Sequence, residues 1–109
     1  MNNEQMLKGN IRKSCYWIAR SYYDFKKNYT AGRSDVISEE EAYRYIRLKE
    51  YISAIESSFK MSVEKTLQKN AWDYFYHSNH FSEHERLLLE AEIEKWLYFL
   101  AKELSLIIH

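Results

Sequence analysis

No proline and only two glycines interrupt the 109 residues of this chain. These are the residues that end or break helices, so their near-absence leaves few places for the backbone to turn. An apolar residue returns every third or fourth position through most of the sequence, the period of an amphipathic helix. The expected class is therefore all-α: one domain spanning 1–109, built as a small bundle of three to four helices. At this length and 46% hydrophobic content the chain can close one core and has no room for a second.

The first stripe runs through Leu7, Ile11, Cys15, Ile18, Tyr22, Phe25 and Tyr29, and the chain then enters a loop over residues 30–35 with Gly32 as the helix stop. Ser38 followed by Glu39, Glu40 and Glu41 has the spacing of a capping box and opens a second helix, with its seam at Tyr45, Leu48, Ile52, Ile55 and Phe59. A short loop between two long stripes predicts an N-terminal antiparallel helical hairpin. Ser57, Ser58 and Ser62 weaken the pattern, and a break is placed near Met61 before a third segment through Val63, Leu67, Ala71, Trp72 and Phe75. Ser82 with Glu85 repeats the capping spacing and starts a last helix expected to run to the C-terminus. Its stripe of Leu89, Ile93, Trp96, Leu100, Leu104 and Ile107 is widened by Leu88, Leu97, Phe99 and Ile108. So broad an apolar face needs burial on two sides or a partner. The expected partner-binding residues are Trp96, Phe99, Leu97 and Ile108, in a homodimer or against another protein.

Charge is segregated. Residues 1–37 carry seven basic residues against three acidic ones, whereas residues 82–109 carry six acidic residues against three basic ones. Arg12, Lys13, Arg20 and Lys27, interleaved with Tyr16, Trp17, Tyr22 and Tyr23, form a candidate contact for nucleic acid or an acidic partner. The competing reading is a solvated face answered by the acidic last helix. A net charge of zero removes the global attraction to phosphate that favours nucleic-acid binding.

Catalytic chemistry finds no support. There is no glycine-rich phosphate loop, nucleophile elbow or paired-carboxylate motif, so the chain reads as non-enzymatic, without cofactor or small-molecule substrate. Cys15 lies on an apolar stripe and reads as a core residue. Asp73 with His77, and His80 with His84, have the four-residue spacing of zinc ligands on a helix, but Ser82 starts a new helix between the last two and no cysteine joins them. A polar turn is the preferred reading, with no metal. The lone cysteine and the lack of an apolar run long enough to cross a bilayer fit a cytoplasmic protein, not a membrane one.

The segments Tyr51-Ile52-Ser53-Ala54-Ile55-Glu56, Ser62-Val63-Glu64-Lys65, Tyr74-Phe75-Tyr76 and Trp96-Leu97-Tyr98-Phe99-Leu100-Ala101-Lys102-Glu103-Leu104 together resemble the small phage late-gene transcription regulators of the ArpU and RinA type. In those proteins an "AIE" helix leads through a charged turn to paired aromatics, and the chain closes on a Leu-Ala-x-x-Leu helix. The resemblance implies a phage or mobile-element origin and a transcription-related role. Family members resemble the DNA-reading region of sigma factors, with two short helices between the paired aromatics and the Leu-Ala segment. Here that interval is shorter and carries Glu83, Glu85, Glu90, Glu92 and Glu94, groups that phosphate repels. The reading is a small regulatory or adaptor protein acting on a protein partner. The alternatives are a DNA-binding regulator using the basic first helix, and a self-associating structural protein.

Overall fold

The structure is a computed structural model that describes residues 9–31, 38–77 and 79–105. Among them are five α-helices and no strand: α1 (Gly9–Arg20), α2 (Tyr22–Ala31), α3 (Glu39–Ser62), α4 (Gln68–His77) and α5 (Glu83–Glu103). A 3-10 turn, Lys65–Leu67, leads into α4. The all-α class holds, but the count is five rather than three to four, because the first helix is divided at Ser21. The Ser21 hydroxyl donates to the carbonyl of Trp17 at 2.8 Å. Its backbone N–H is shared between the carbonyls of Trp17 (3.0 Å) and Ile18 (3.2 Å). A side-chain hydroxyl competing for the carbonyl one turn back bends a helix without disturbing the spacing of its apolar residues.

That bend sends the two halves to different neighbours. The α1 half packs on α5, and the α2 half packs on α3. Along the α2–α3 contact Tyr29 stacks on Tyr45 at 4.4 Å and Phe25 on Tyr51 at 5.4 Å, while the Tyr22 hydroxyl donates to Glu56. Partners that climb on one helix as they descend on the other make this an antiparallel hairpin, confined to the second half of the expected first helix.

Helix starts follow the local chemistry. Ser38 Oγ accepts from the backbone N–H of Glu41 at 3.1 Å. At α5 the full capping box forms, with Glu85 N–H donating to Ser82 Oγ (3.2 Å) and Ser82 N–H to the Glu85 carboxylate (3.2 Å). Between α3 and α4 the chain turns without proline or glycine. Ser62 donates to the carbonyl of Ser58 at 2.6 Å and Val63 goes extended, two residues past the expected break near Met61. The amide of Gln68 then ties the two sides together, reaching the carbonyls of Lys60 and Val63 at 3.1 Å each. The last helix does not run to the C-terminus as expected. It ends at Glu103, and Ser105 takes a left-handed φ of 58°, the conformation that glycine usually supplies just past a helix end. Residues 106–109, Ile108 among them, lie outside the described residues.

Helix α5 is the centre of the bundle, in contact with α1, α3 and α4. Trp96 is wholly buried there, its ring 5.0 Å from both Phe59 and Phe75 and met edge-on by each. Its indole N–H donates to Ser58 Oγ at 3.1 Å, and that hydroxyl donates to the carbonyl of Ile55 at 3.2 Å. Large aromatics bury much apolar area, and a polar ring edge is tolerated inside only when it is paired, as here. Seven of the ten tyrosines are half-buried, in keeping with a shallow core whose ring tips reach water.

Two outcomes test this packing. Ile52 is buried at the base of the hairpin, so Ile52→Asp puts an unpaired charge there. It is expected to cost about 3 kcal/mol or more, read as loss of the cooperative urea transition followed by circular dichroism. Burial pushes the Cys15 thiol from 9.0 up to about 11. Between those values the folded chain keeps a proton that the unfolded chain loses, so stability falls as pH rises through the window. Cys15→Ala is expected to flatten that fall in alkaline melts, and in the wild type the thiol should resist iodoacetamide at neutral pH until urea unfolds the chain.

Candidate interaction surface

The four expected partner-binding residues do not make a surface. Trp96 and Leu97 are wholly buried within the chain, which corrects their assignment: they are core, covered by α1, α3 and α4. Phe99 is half-buried, meeting Tyr98 edge-on at 6.0 Å with the Lys102 ammonium 5.6 Å over its ring. Ile108 falls outside the described residues. The stretch of the broad α5 face from Leu89 through Ile93, Trp96 and Leu97 to Leu100 is covered from within, by α1 as well as by α3 and α4.

The acidic residues of α5 are also used inside the fold. Glu94 grips Arg12 of α1, whose Nε lies 2.8 and 3.0 Å from its two oxygens with Nη2 in a closer contact. The hydrogen bond to Glu94 is the main reason the Arg12 guanidinium is held above its ordinary pKa. Glu92 accepts the backbone N–H of Glu64 at 2.7 Å and pairs with Lys95 at 2.9 Å. Glu90 accepts from the Tyr74 hydroxyl at 2.7 Å; burial and then that bond push the phenol upward. Glu85 closes the cap and Glu103 accepts from Ser57 at 3.2 Å.

The basic residues divide. Arg12 belongs to Glu94, and Arg20 donates to the Phe75 carbonyl in the last turn of α4 while its guanidinium lies 5.4 Å over the Phe75 ring. Lys13 and Lys27 are exposed. Between them along the same side stand Trp17, 66% exposed, and Tyr23, 48% exposed, with Asp24 as the one carboxylate. Tyr23 is held in place by Trp72, whose indole N–H donates to its hydroxyl at 2.9 Å, and by the ring edges of Tyr76 and His77. Two exposed lysines and two exposed rings thus lie along α1 and α2, while Arg20 between them is turned onto α4.

A groove of about 790 Å³ between α1, α4 and α5 is lined by Arg12, Tyr16, Arg20, Tyr74, Glu90 and Glu94 among others. Arg12 and Glu94 bond each other, Tyr74 bonds Glu90, and Arg20 bonds the Phe75 carbonyl, so these groups are engaged structurally. His77, His80 and His84 are all exposed, and among the described residues no group of three His, Cys, Asp or Glu is placed to hold a metal ion. Nor is any described helix long and apolar enough to cross a membrane.

Sequence reasoning missed a second exposed apolar group, Tyr43 (60%) and Ile46 (53%) on α3. Both stand off the seam of Tyr45, Leu48 and Ile52, and that offset is a signal the spacing contained. Leu87 and Leu88, on the first turns of α5, are exposed as well, Leu88 contrary to its expected place on the broad apolar face. No family model matches the chain, no curated protein matches it, and no solved structure matches it.

Proposed function

We propose that this chain is a small non-enzymatic adaptor or regulator that binds an acidic protein partner through the α1–α2 ridge. The observation that carries the reading is Trp17, two-thirds exposed among Lys13, Arg20, Tyr23 and Lys27. An indole left so far in water gains most when a partner covers it, and Trp, Tyr and Arg are the side chains that dominate protein interfaces. The lysines on either side favour a partner segment that carries carboxylates beside an apolar residue. The resemblance of residues 51–104 to phage late-gene regulators supplies the setting, a transcription-related role in a phage or mobile element. The acidic α5 supports action on protein rather than on base edges, since its carboxylates would meet phosphate with like charge.

The nucleic-acid alternative rests on the same ridge, because Lys13 and Lys27 are exposed cations beside rings that a base could stack on. The two readings separate by experiment. A partner captured by crosslinking in the cells that carry the chain is purified and titrated against wild type, Trp17→Ala and the double variant Lys13→Glu/Lys27→Glu. Each variant is expected to bind at least about tenfold more weakly, a loss of about 1.4 kcal/mol, with the fold intact. Affinity unchanged in both variants moves the partner off this ridge. Retention on duplex DNA that falls steeply with salt and disappears in Lys13→Gln/Lys27→Gln transfers the ridge to nucleic acid.

A further inference from the structure

The α2–α3 hairpin stands beyond the bundle as a two-helix arm. No described residue from Tyr23 to Tyr51 is buried, whereas Tyr22 and Ile52 at its base both are. Helix α5 ends at Glu103, beside Ser57 of α3, so it gives no third layer to the arm. Helix α2, with 10 residues, is marginal alone, and secondary structure is stable when an apolar face is covered by another layer. The arm instead leaves Tyr43 and Ile46 exposed, off the seam through which Tyr45 and Tyr51 meet α2.

That outward ridge lies between two hollows. One, of about 480 Å³, is lined by Asn28, Tyr43, Arg44, Arg47 and Leu48. The other, of about 670 Å³, runs from Ile46 past Glu50 and Ala54 to Leu104 at the end of α5. A ridge flanked by hollows can receive its own copy, since a twofold axis sets each ridge into the other's hollow. The charges on α3 have the matching order. Its first turn holds Glu39, Glu40 and Glu41, and the next two turns hold Arg44, Arg47 and Lys49 with the single carboxylate Glu50. The ion pairs Glu40–Arg44 (3.1 Å) and Arg47–Glu50 (4.0 Å) are exposed surface pairs of small worth that a neighbour's charge can replace, with Arg47 also held 5.4 Å over the ring of Tyr43.

We infer that two copies of this chain join arm to arm, with α3 antiparallel on α3 of the second copy and Tyr43 set against its Ile46. In this register Glu40 of each copy lies beside Arg47 and Lys49 of the other, and the two hairpins complete a four-helix layer that buries the arm. A net charge of zero leaves no overall repulsion between copies. This interface lies on α3 and is independent of the Trp17 ridge, so either can fail without the other.

Sedimentation velocity across the micromolar range tests it. The wild type is expected to pass from 13.3 kDa to twice that mass as concentration rises. Tyr43→Ala and Ile46→Glu are expected to weaken the dimer about tenfold or more with helicity unchanged, and Trp17→Ala to leave it intact. Glu40→Arg should weaken association, and Glu40→Arg combined with Arg47→Glu should restore it. That charge exchange at exposed positions decides the matter even where Ile46→Glu unfolds. A wild type that stays at 13.3 kDa throughout overturns the inference. So does a dimer indifferent to Tyr43→Ala and to the charge exchange, or one lost on deleting residues 106–109 while indifferent to those changes.

Discussion

The indole of Trp96 is the point on which the bundle depends. It sits on α5, takes the edges of Phe59 from α3 and Phe75 from α4, and spends its one polar group on Ser58 of α3. Three helices therefore meet at one side chain. Nearby Tyr76 carries the contact on to α1, its hydroxyl donating to the carbonyl of Ala19 at 2.5 Å. Burial pushes that phenol well above its ordinary range, so it stays a neutral donor. A core assembled from rings with paired polar edges is directional as well as apolar: each hydrogen bond fixes which way a ring faces, and a flipped ring would leave a buried donor unmet.

At Ser21 the first helical stretch changes neighbour, from α5 to α3. With the bend, Cys15 and Ala19 close against the core, while Phe25 and Tyr29 leave it to pair with α3. Cys15 and Ala19 on one side of Ser21 thus complete the core around α5, and Phe25 and Tyr29 on the other side belong to the arm. The molecule's extents of 50 × 33 × 22 Å and radius of gyration of 15.4 Å, against about 13 Å for a compact chain of this length, reflect that projection.

What could be read in advance was what local chemistry controls. Ser38 and Ser82 announced two helix starts because a cap and its carboxylate lie three residues apart in any context. The seam through Tyr45, Leu48, Ile52, Ile55 and Phe59 was visible because period alone creates a face. The bend was not, since Ser21 Oγ bonding to Trp17 leaves the apolar spacing unchanged. Nor was the fate of α5, which depended on where α1 packed. A broad apolar face is compatible with a partner or with enclosure by the chain itself, and only the path of α1 chose between them for Trp96 and Leu97. The charge pairing was equally hidden, because Arg12 and Glu94 are 82 residues apart and no spacing rule connects them.

Segregated charge in the sequence thus became two different things in three dimensions. Part of it is internal: Arg12 on Glu94 and Arg20 on the end of α4 hold α1 to the bundle, and the carboxylates of α5 cap, clamp and accept within the chain. What the fold leaves unused is therefore more informative than the total. Lys13 and Lys27 remain exposed on α1 and α2, and on α3 the pairs Glu40–Arg44 and Arg47–Glu50 are exposed surface pairs on the arm. A zero net charge describes neither surface, since recognition acts over about 8–10 Å at physiological salt and a partner senses only the charges within that reach. At that range the α1–α2 ridge is locally cationic and the α3 face is self-complementary. The same neutral chain can therefore present one surface suited to an acidic protein and another suited to its own copy.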